Sequence, residues 1–334
     1  MRHARVVTGI FTALALMASV LPARAEVSTV NVTIQYGIGY LPLYVMRHDH
    51  LLEKHLQQEG LHSKVTWSQI GTGSVVNDAL LSGRTAFAGG GPPQMLTLWD
   101  RTQSNLKVKG IAALSSMPMF LNANQPRLKS LDDFTSSDRI AVASAGSSIE
   151  TLILQMAAAK RYGAANFRKF DPLMVNLAHP DGMTALLSKS YITAQFTAPP
   201  YQYEELTHPG IHRMLSSYDV TGGPATFLMV WTTTRFRDEN PKTVKAYYDA
   251  LTEATDFINA HKRQAAAIYV QDEKGSGSAD DVLKMLNDPD VHVTMVPQHI
   301  MDYAKTMYRL GTIKHMPTSW KDLFFPEVYG LPGS

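Results

Sequence analysis

VNVTIQYGIGYLPLYVM, residues 30–46, holds a strand, a glycine turn and a helix start in direct succession. β-Branched residues at 30, 32, 33 and 34 favour an extended chain from Val30 to Tyr36. Gly37-Ile38-Gly39 turns it, and Pro42 suits a first helical position, where its missing N–H has no intrahelical partner to lose. Apolar residues at 43, 45, 46, 51, 52 and 56 continue at mostly helical spacing to a stop at Gly60.

The same order recurs downstream. Strand 64–70 leads through Gly71-Thr72-Gly73 into a helix over 74–81, and strand 85–88 leads through Gly89-Gly90-Gly91-Pro92-Pro93 into a helix through Trp99, then a strand over 106–114. From Met119 the pattern restarts with strands at 120–123 and 139–143. Ala145-Gly146-Ser147-Ser148 then opens a helix that ends at Gly163, with Ser147 and Glu150 spaced as a capping box. A strand over 173–177, a helix over 181–187 and a strand over 192–196 follow, before Thr197-Ala198-Pro199-Pro200-Tyr201 feeds another helix. After Gly222-Gly223-Pro224 comes an apolar strand over 225–233, then a helix capped by Asn240 whose stripe of Tyr247, Tyr248, Leu251 and Ile258 reads as core. Alternating β and α elements predict an α/β fold with parallel sheets covered by helices.

The N-terminus reads as an export signal: Arg2 and Arg5 precede an apolar run from Val6 to Leu21 that ends in Ala23-Arg24-Ala25. Cleavage after Ala25 would make Glu26 the first mature residue, in the periplasm. The apolar run is shorter than the ~20 residues needed to span a bilayer. With no cysteine in the chain, a lipid anchor, a disulfide framework and a thiolate metal site are all excluded. Without Arg2, Arg5 and Arg24 the balance is 28 basic against 29 acidic residues, which argues against nucleic acid or anionic membrane as partner. The roughly 309 remaining residues exceed the size at which one core keeps growing, so two lobes are expected.

Five strand-to-helix turns, at 37–42, 71–74, 89–93, 144–148 and 197–201, carry Gly, Ser, Thr or Pro in place of charge. In open α/β sheets such turns lie at the carboxyl ends of strands, where ligands bind. Helix starts present unpaired N–H groups and partial positive charge, each worth about 0.3–1 kcal/mol, so several facing one crevice could hold an anion. Turn and cap geometry alone would also call for these residue types. Neither Gly37-Ile38-Gly39 nor Gly71-Thr72-Gly73 completes a dinucleotide fingerprint, since Pro42 and Val76 take its third glycine position; there is no P-loop and no G-x-S-x-G elbow. His48 and His50, two apart, point to different faces of a helix, and His208 and His212 stand across Pro209-Gly210; no metal or cofactor is expected.

These residues resemble a family. Gln35-Tyr36-Gly37, Gly60-Leu61, Ala79-Leu80-Leu81-Ser82-Gly83, Gly90-Gly91-Pro92-Pro93, Ala145-Gly146-Ser147-Ser148, Ala185-Leu186-Leu187-Ser188 and Pro199-Pro200-Tyr201 stand in the order found in nitrate/sulfonate/taurine solute-binding proteins of ABC importers. The resemblance implies a type II periplasmic-binding-protein fold, with lobe 1 at 27–121 plus 225–334, lobe 2 at 122–224, and hinges near 119–124 and 222–226. It implies a monomer that passes a small organic anion (sulfonate, taurine-like or carboxylate) to a membrane permease. Implied ligand-binding residues are Gln35, Tyr36, Thr72, Ser74, Gly90, Gly91, Pro92, Ser144, Gly146, Ser147, Ser148, Thr197 and Tyr201. The chain departs from the pattern at Thr197-Ala198-Pro199, where many relatives carry an acidic residue or tryptophan; a taurine ammonium would then need Asp181 or Glu204 as partner. A binder of a thiamine pyrimidine precursor or similar heterocycle is the alternative. An enzyme resembling the fungal pyrimidine-phosphate synthases is disfavoured because those rely on a cysteine-containing iron segment. A binding protein that signals to a membrane kinase is a further alternative.

Overall fold

The computed structural model describes residues 26–71, 73–273 and 277–334; the expected export signal and the cleavage site before Glu26 lie outside the described residues, as does Thr72. Among the described residues, eleven strands form the sheets of two lobes. In the first lobe these are β1 (Thr29–Ile34), β2 (Lys64–Gln69), β3 (Ala88–Gly90) and β4 (Val108–Ser116); in the second, β5 (Phe120–Ala123), β6 (Ile140–Val142), β7 (Met174–Asn176), β8 (Ala194–Thr197) and β9 (His212–Ser216); the chain then returns with β10 (Thr226–Thr233) and β11 (His292–Val293).

Both sheets share one order. β2 pairs with β1, a parallel bridge from Val32 to Phe87 joins β1 to the segment entering β3, and β3-β10-β4-β11 completes the first lobe. The second lobe runs β7-β6-β8-β5-β9. In each, the strand in the fourth position comes from a crossing of the chain: β10 runs antiparallel to β3 and β4, and β5 antiparallel to β8 and β9. The sheets are therefore mixed and not wholly parallel. A strand arriving from the other lobe enters from the opposite end, and the local β-α rhythm of the sequence carries no trace of that direction.

The chain crosses between lobes at 117–119 and 222–225, and the crossings lie side by side: Ser116 Oγ donates to the Ala225 carbonyl at 2.8 Å, and Thr226 faces Ser116 in the ladder. The boundary expected between 121 and 122 instead falls inside β5, all four of whose residues pair in the second sheet.

Local sequence explains most helices and corrects a few. The expected helix from Pro42 to Gly60 is two helices, Leu41–His48 and Leu51–Gln58, broken where His50 takes a left-handed conformation. Asn240 does not cap the helix Pro241–Ala260; its Oδ1 accepts the Val27 N–H at 2.8 Å, and the Glu26 carboxylate takes Lys242 N–H and Thr243 N–H at 2.8 and 3.0 Å. An acid at a helix start is favourable there. Tyr247 is core as expected, fully buried and stacked on Phe87 at 3.8 Å. Among the described residues, no helix is long and apolar enough to cross a membrane.

Candidate functional site

The carboxyl ends of β1, β2 and β3 face those of β6 and β7 across the gap between lobes. A cavity of about 30 Å³ lies there, lined from the first lobe by Gln35, Tyr36, Tyr40, Gly71, Gly91 and Gln94, from the second by Ala143, Ser148, Ile149, Glu150 and His179, and at the hinge by Phe227 and Leu228. That is space for two or three water-sized groups. Among its lining residues there is no lysine or arginine.

The lobes touch around it. Ile38 N–H donates to the Pro199 carbonyl at 3.0 Å. Glu273 accepts Gly37 N–H at 3.1 Å and the Tyr44 hydroxyl within the first lobe, and the Tyr201 hydroxyl from the second. Burial pushes the Glu273 carboxyl up to about 8, the Gly37 N–H offsetting part of the rise. A Cβ on Gly91 would stand 2.9 Å from Ile149 Cβ, so this contact closes only on a glycine. Gly91 has φ −75, which any residue tolerates, so a side chain there would wedge the lobes apart without straining the fold. Gly91→Val should therefore bind the protein's solute at least tenfold more weakly while melting within about 2 °C of wild type when ligand-free. Calorimetric titration and thermal melts test this, and unchanged affinity would show that the lobes need not meet here.

The cavity is built from side chains more than from helix starts. Ser148, not Ser147, caps the helix Ile149–Tyr162, its hydroxyl accepting Thr151 N–H at 3.3 Å, so the expected Ser147–Glu150 capping box does not form. The backbone N–H groups of Ser147 and Ser148 already donate to the Ser144 carbonyl at 3.2 and 2.9 Å. The helix Pro92–Arg101 begins with two prolines, which have no N–H, and Gly91 N–H is taken by Gln94 Oε1 at 2.9 Å. Neither start offers the converging donors that an anion would need.

Of the residues expected to bind ligand, Gln35, Tyr36, Gly91 and Ser148 line the cavity. Gly90 packs against Gln94 and Trp231, and Pro92 is buried at the helix start beside it. Gly146 and Ser147 open onto a separate groove with Asn77, Pro93 and Thr97. Ser144 is buried beneath the turn. Thr197 is occupied with His179 Nδ1 at 2.9 Å, and Tyr201 with Glu273. Ser74 falls in the first turn of the helix Gly73–Leu81.

Beside the expected Gln35, residues missed from sequence, Tyr40, Gln94, Glu150 and His179, supply much of the cavity's polarity. Gln35 Nε2 donates to the Tyr40 hydroxyl at 2.8 Å and to the Gly89 carbonyl at 2.9 Å. His179 sits at the start of the helix His179–Ser188, its Nε2 3.7 Å from Glu150 Oε1, and burial pushes its imidazole down to about 4, so it is neutral at pH 7. Burial raises Glu150, and the neighbouring Ser148 hydroxyl offsets that only in part. Tyr40 is raised well above the usual phenol range by burial and then by the Glu150 charge. Asp181 and Glu204 are exposed; the carboxyl group in the cleft belongs to Glu150.

No family model matches this chain, and no curated relative matches its sequence. Solved structures do match in shape. The alkanesulfonate-binding protein SsuA from Xanthomonas axonopodis pv. citri bound to MOPS is 15% identical with a TM-score of 0.67, over 90% of this chain and 97% of that one. The periplasmic nitrate-binding protein NrtA from Synechocystis PCC 6803 is 14% identical with a TM-score of 0.68, over 89% and 84%. A Candida albicans gene product described as exhibiting the generic periplasmic binding protein fold is 12% identical with a TM-score of 0.65, over 87% and 92%. Together with the identical strand order of its two lobes, this similarity shows that the chain has the two-lobed periplasmic-binding-protein fold.

Proposed function

We propose that this chain is the solute-binding component of an ABC import system: exported to the periplasm, it closes its two lobes on one small molecule and presents it to a membrane permease. The carrying observation is the cavity, which takes its walls from both lobes and the hinge and is sealed by contacts that exist only when the lobes meet. No catalytic role is proposed. The supporting neighbours bind sulfonate or nitrate by name, and an anion is the class expected from sequence. The cleft chemistry favours the alternative, a nitrogen heterocycle or similar donor-rich molecule. Glu150, whose carboxyl burial raises, offers an anion no positive charge, and among the described residues no cationic side chain stands on the wall.

Two measurements test the reading. Denaturing protein purified from periplasm and analysing the released small molecules by mass spectrometry should recover one bound solute. Adding that solute to stripped protein should reduce the radius of gyration in small-angle scattering, as hinge closure requires. Protein that carries no solute and binds none in a screen of sulfonates, carboxylates, nitrate, amines and heterocycles would overturn the proposal.

A further inference from the structure

Glu150 is 2% exposed, borders the cleft cavity, and its Oε2 has no hydrogen-bond partner among the described residues. A buried carboxyl oxygen left unpaired is costly, and a site that keeps one has a place for a donor from outside the chain. The groups facing it do not supply that donor. His179 Nε2, from the opposite helix start, stays 3.7 Å from Oε1, beyond hydrogen-bond reach. The Tyr40 hydroxyl, on the turn after β1, accepts from Gln35, and no hydrogen bond from it reaches Oε2. The Ser148 hydroxyl accepts Thr151 N–H and lies beside the Glu150 carboxyl but leaves Oε2 unpaired, and the hinge strand brings the apolar Phe227 and Leu228. Gln94, from the helix after β3, spends its Oε1 on Gly91 N–H.

We propose that Glu150 is the specificity-determining residue of the cleft: it accepts N–H hydrogen bonds from a compact nitrogenous solute, a protonated amine, an amidine or an amino-substituted nitrogen heterocycle, and it excludes sulfonates and nitrate. This rests on the solute-binding reading above. An amidine or amino-heterocycle presents two adjacent hydrogens or a hydrogen beside a ring nitrogen, and such a planar edge can meet Glu150 while its other side meets His179 Nε2. The apolar flanks from Ile149, Phe227 and Leu228 suit the faces of a flat group. The partial positive charge of the helix start favours the ionised carboxylate when a cation arrives, against the burial that otherwise holds its proton. Neutral His179 and Tyr40 add no positive charge for an anion.

The test titrates wild type and Glu150→Gln by calorimetry at pH 7.5 with acetamidinium, ethylammonium and 4-aminopyrimidine, and with methanesulfonate and nitrate. At least one nitrogenous probe should bind wild type, Glu150→Gln should weaken it tenfold or more, and neither anion should compete. Acetamidinium stays charged throughout, so its affinity should fall as pH drops from 7.5 to 5, because it competes with a proton for Glu150; an anion held by the neutral acid would bind more tightly as pH drops. Where circular dichroism shows Glu150→Gln unfolded, this pH series on wild type decides. Anions that bind wild type, with Glu150→Gln equal or tighter, would overturn the proposal and leave the solute-binding reading intact. A solute released from the purified protein is judged likewise: one without an N–H group overturns the assignment of Glu150. Protein that binds neither class and releases nothing removes both readings.

Discussion

Glu273→Leu should melt about 10 °C below wild type. The substitution removes one acceptor that serves three donors, Gly37 N–H, the Tyr44 hydroxyl and the Tyr201 hydroxyl, all buried. A buried donor left unpaired costs about 1–3 kcal/mol, so the two within the first lobe, Gly37 N–H and the Tyr44 hydroxyl, give several kcal/mol in the ligand-free melt. At about 2–4 °C per kcal/mol for a chain of this size, the drop is easily measured. Tyr201→Phe isolates the arm that reaches across the cleft. It should leave the ligand-free melt within about 2 °C of wild type, because the open lobes do not use that bond, while weakening solute binding severalfold. A Glu273→Leu protein that melts like wild type would show that this buried carboxyl is not a structural junction. A Tyr201→Phe protein with unaltered affinity would show that it does not latch the lobes.

Thermal stability should fall as pH rises from 5.5 to 8.5, the reverse of ordinary acid denaturation. Glu205 lies buried in the second lobe, its Oε2 accepting Asn122 Nδ2–H at 2.8 Å and its Oε1 without a partner among the described residues, and burial pushes its carboxyl up to about 8. The unfolded chain releases that proton near 4.3. Between those values the folded protein holds a proton that the unfolded one has lost, so rising pH favours unfolding by at most about 1.4 kcal/mol per unit. The contribution is fully present below the unfolded value and is lost by the folded one. Glu273, also raised to about 8, and Glu150, raised as well, act with the same sign. Wild type should therefore lose several degrees over this range, and Glu205→Gln, which keeps an acceptor for Asn122, should lose visibly less. A flat wild-type profile, or an equal slope in Glu205→Gln, would show that Glu205 is ionised in the folded protein.

The elements themselves were legible in the sequence. β-Branched runs, glycine turns and helical spacing are local, and they placed nearly every strand within a few residues, including the apolar run that forms β10. The turns that converge on the cleft were legible too, because strand carboxyl ends in α/β sheets share one edge. Gly91 and Ser148 follow from that rule, and Gln35 and Tyr36 from the family resemblance. What each turn contributes was not. Ser147 and Ser148 look like anion donors until the Ser144 carbonyl is seen to take both N–H groups, a matter of loop geometry. Glu150 reads as a cap partner by spacing, and its burial opposite His179 depends on a helix from elsewhere in the chain. Glu273 lies 236 residues from Gly37, and no local pattern marks it. The sequence by itself determined two α/β lobes with a ligand edge on each, because those depend on short-range propensity and periodicity. Only the tertiary structure decided the direction of the crossing strands, the lobes' points of contact and the charge of the cleft, because each depends on which distant side chains are buried together.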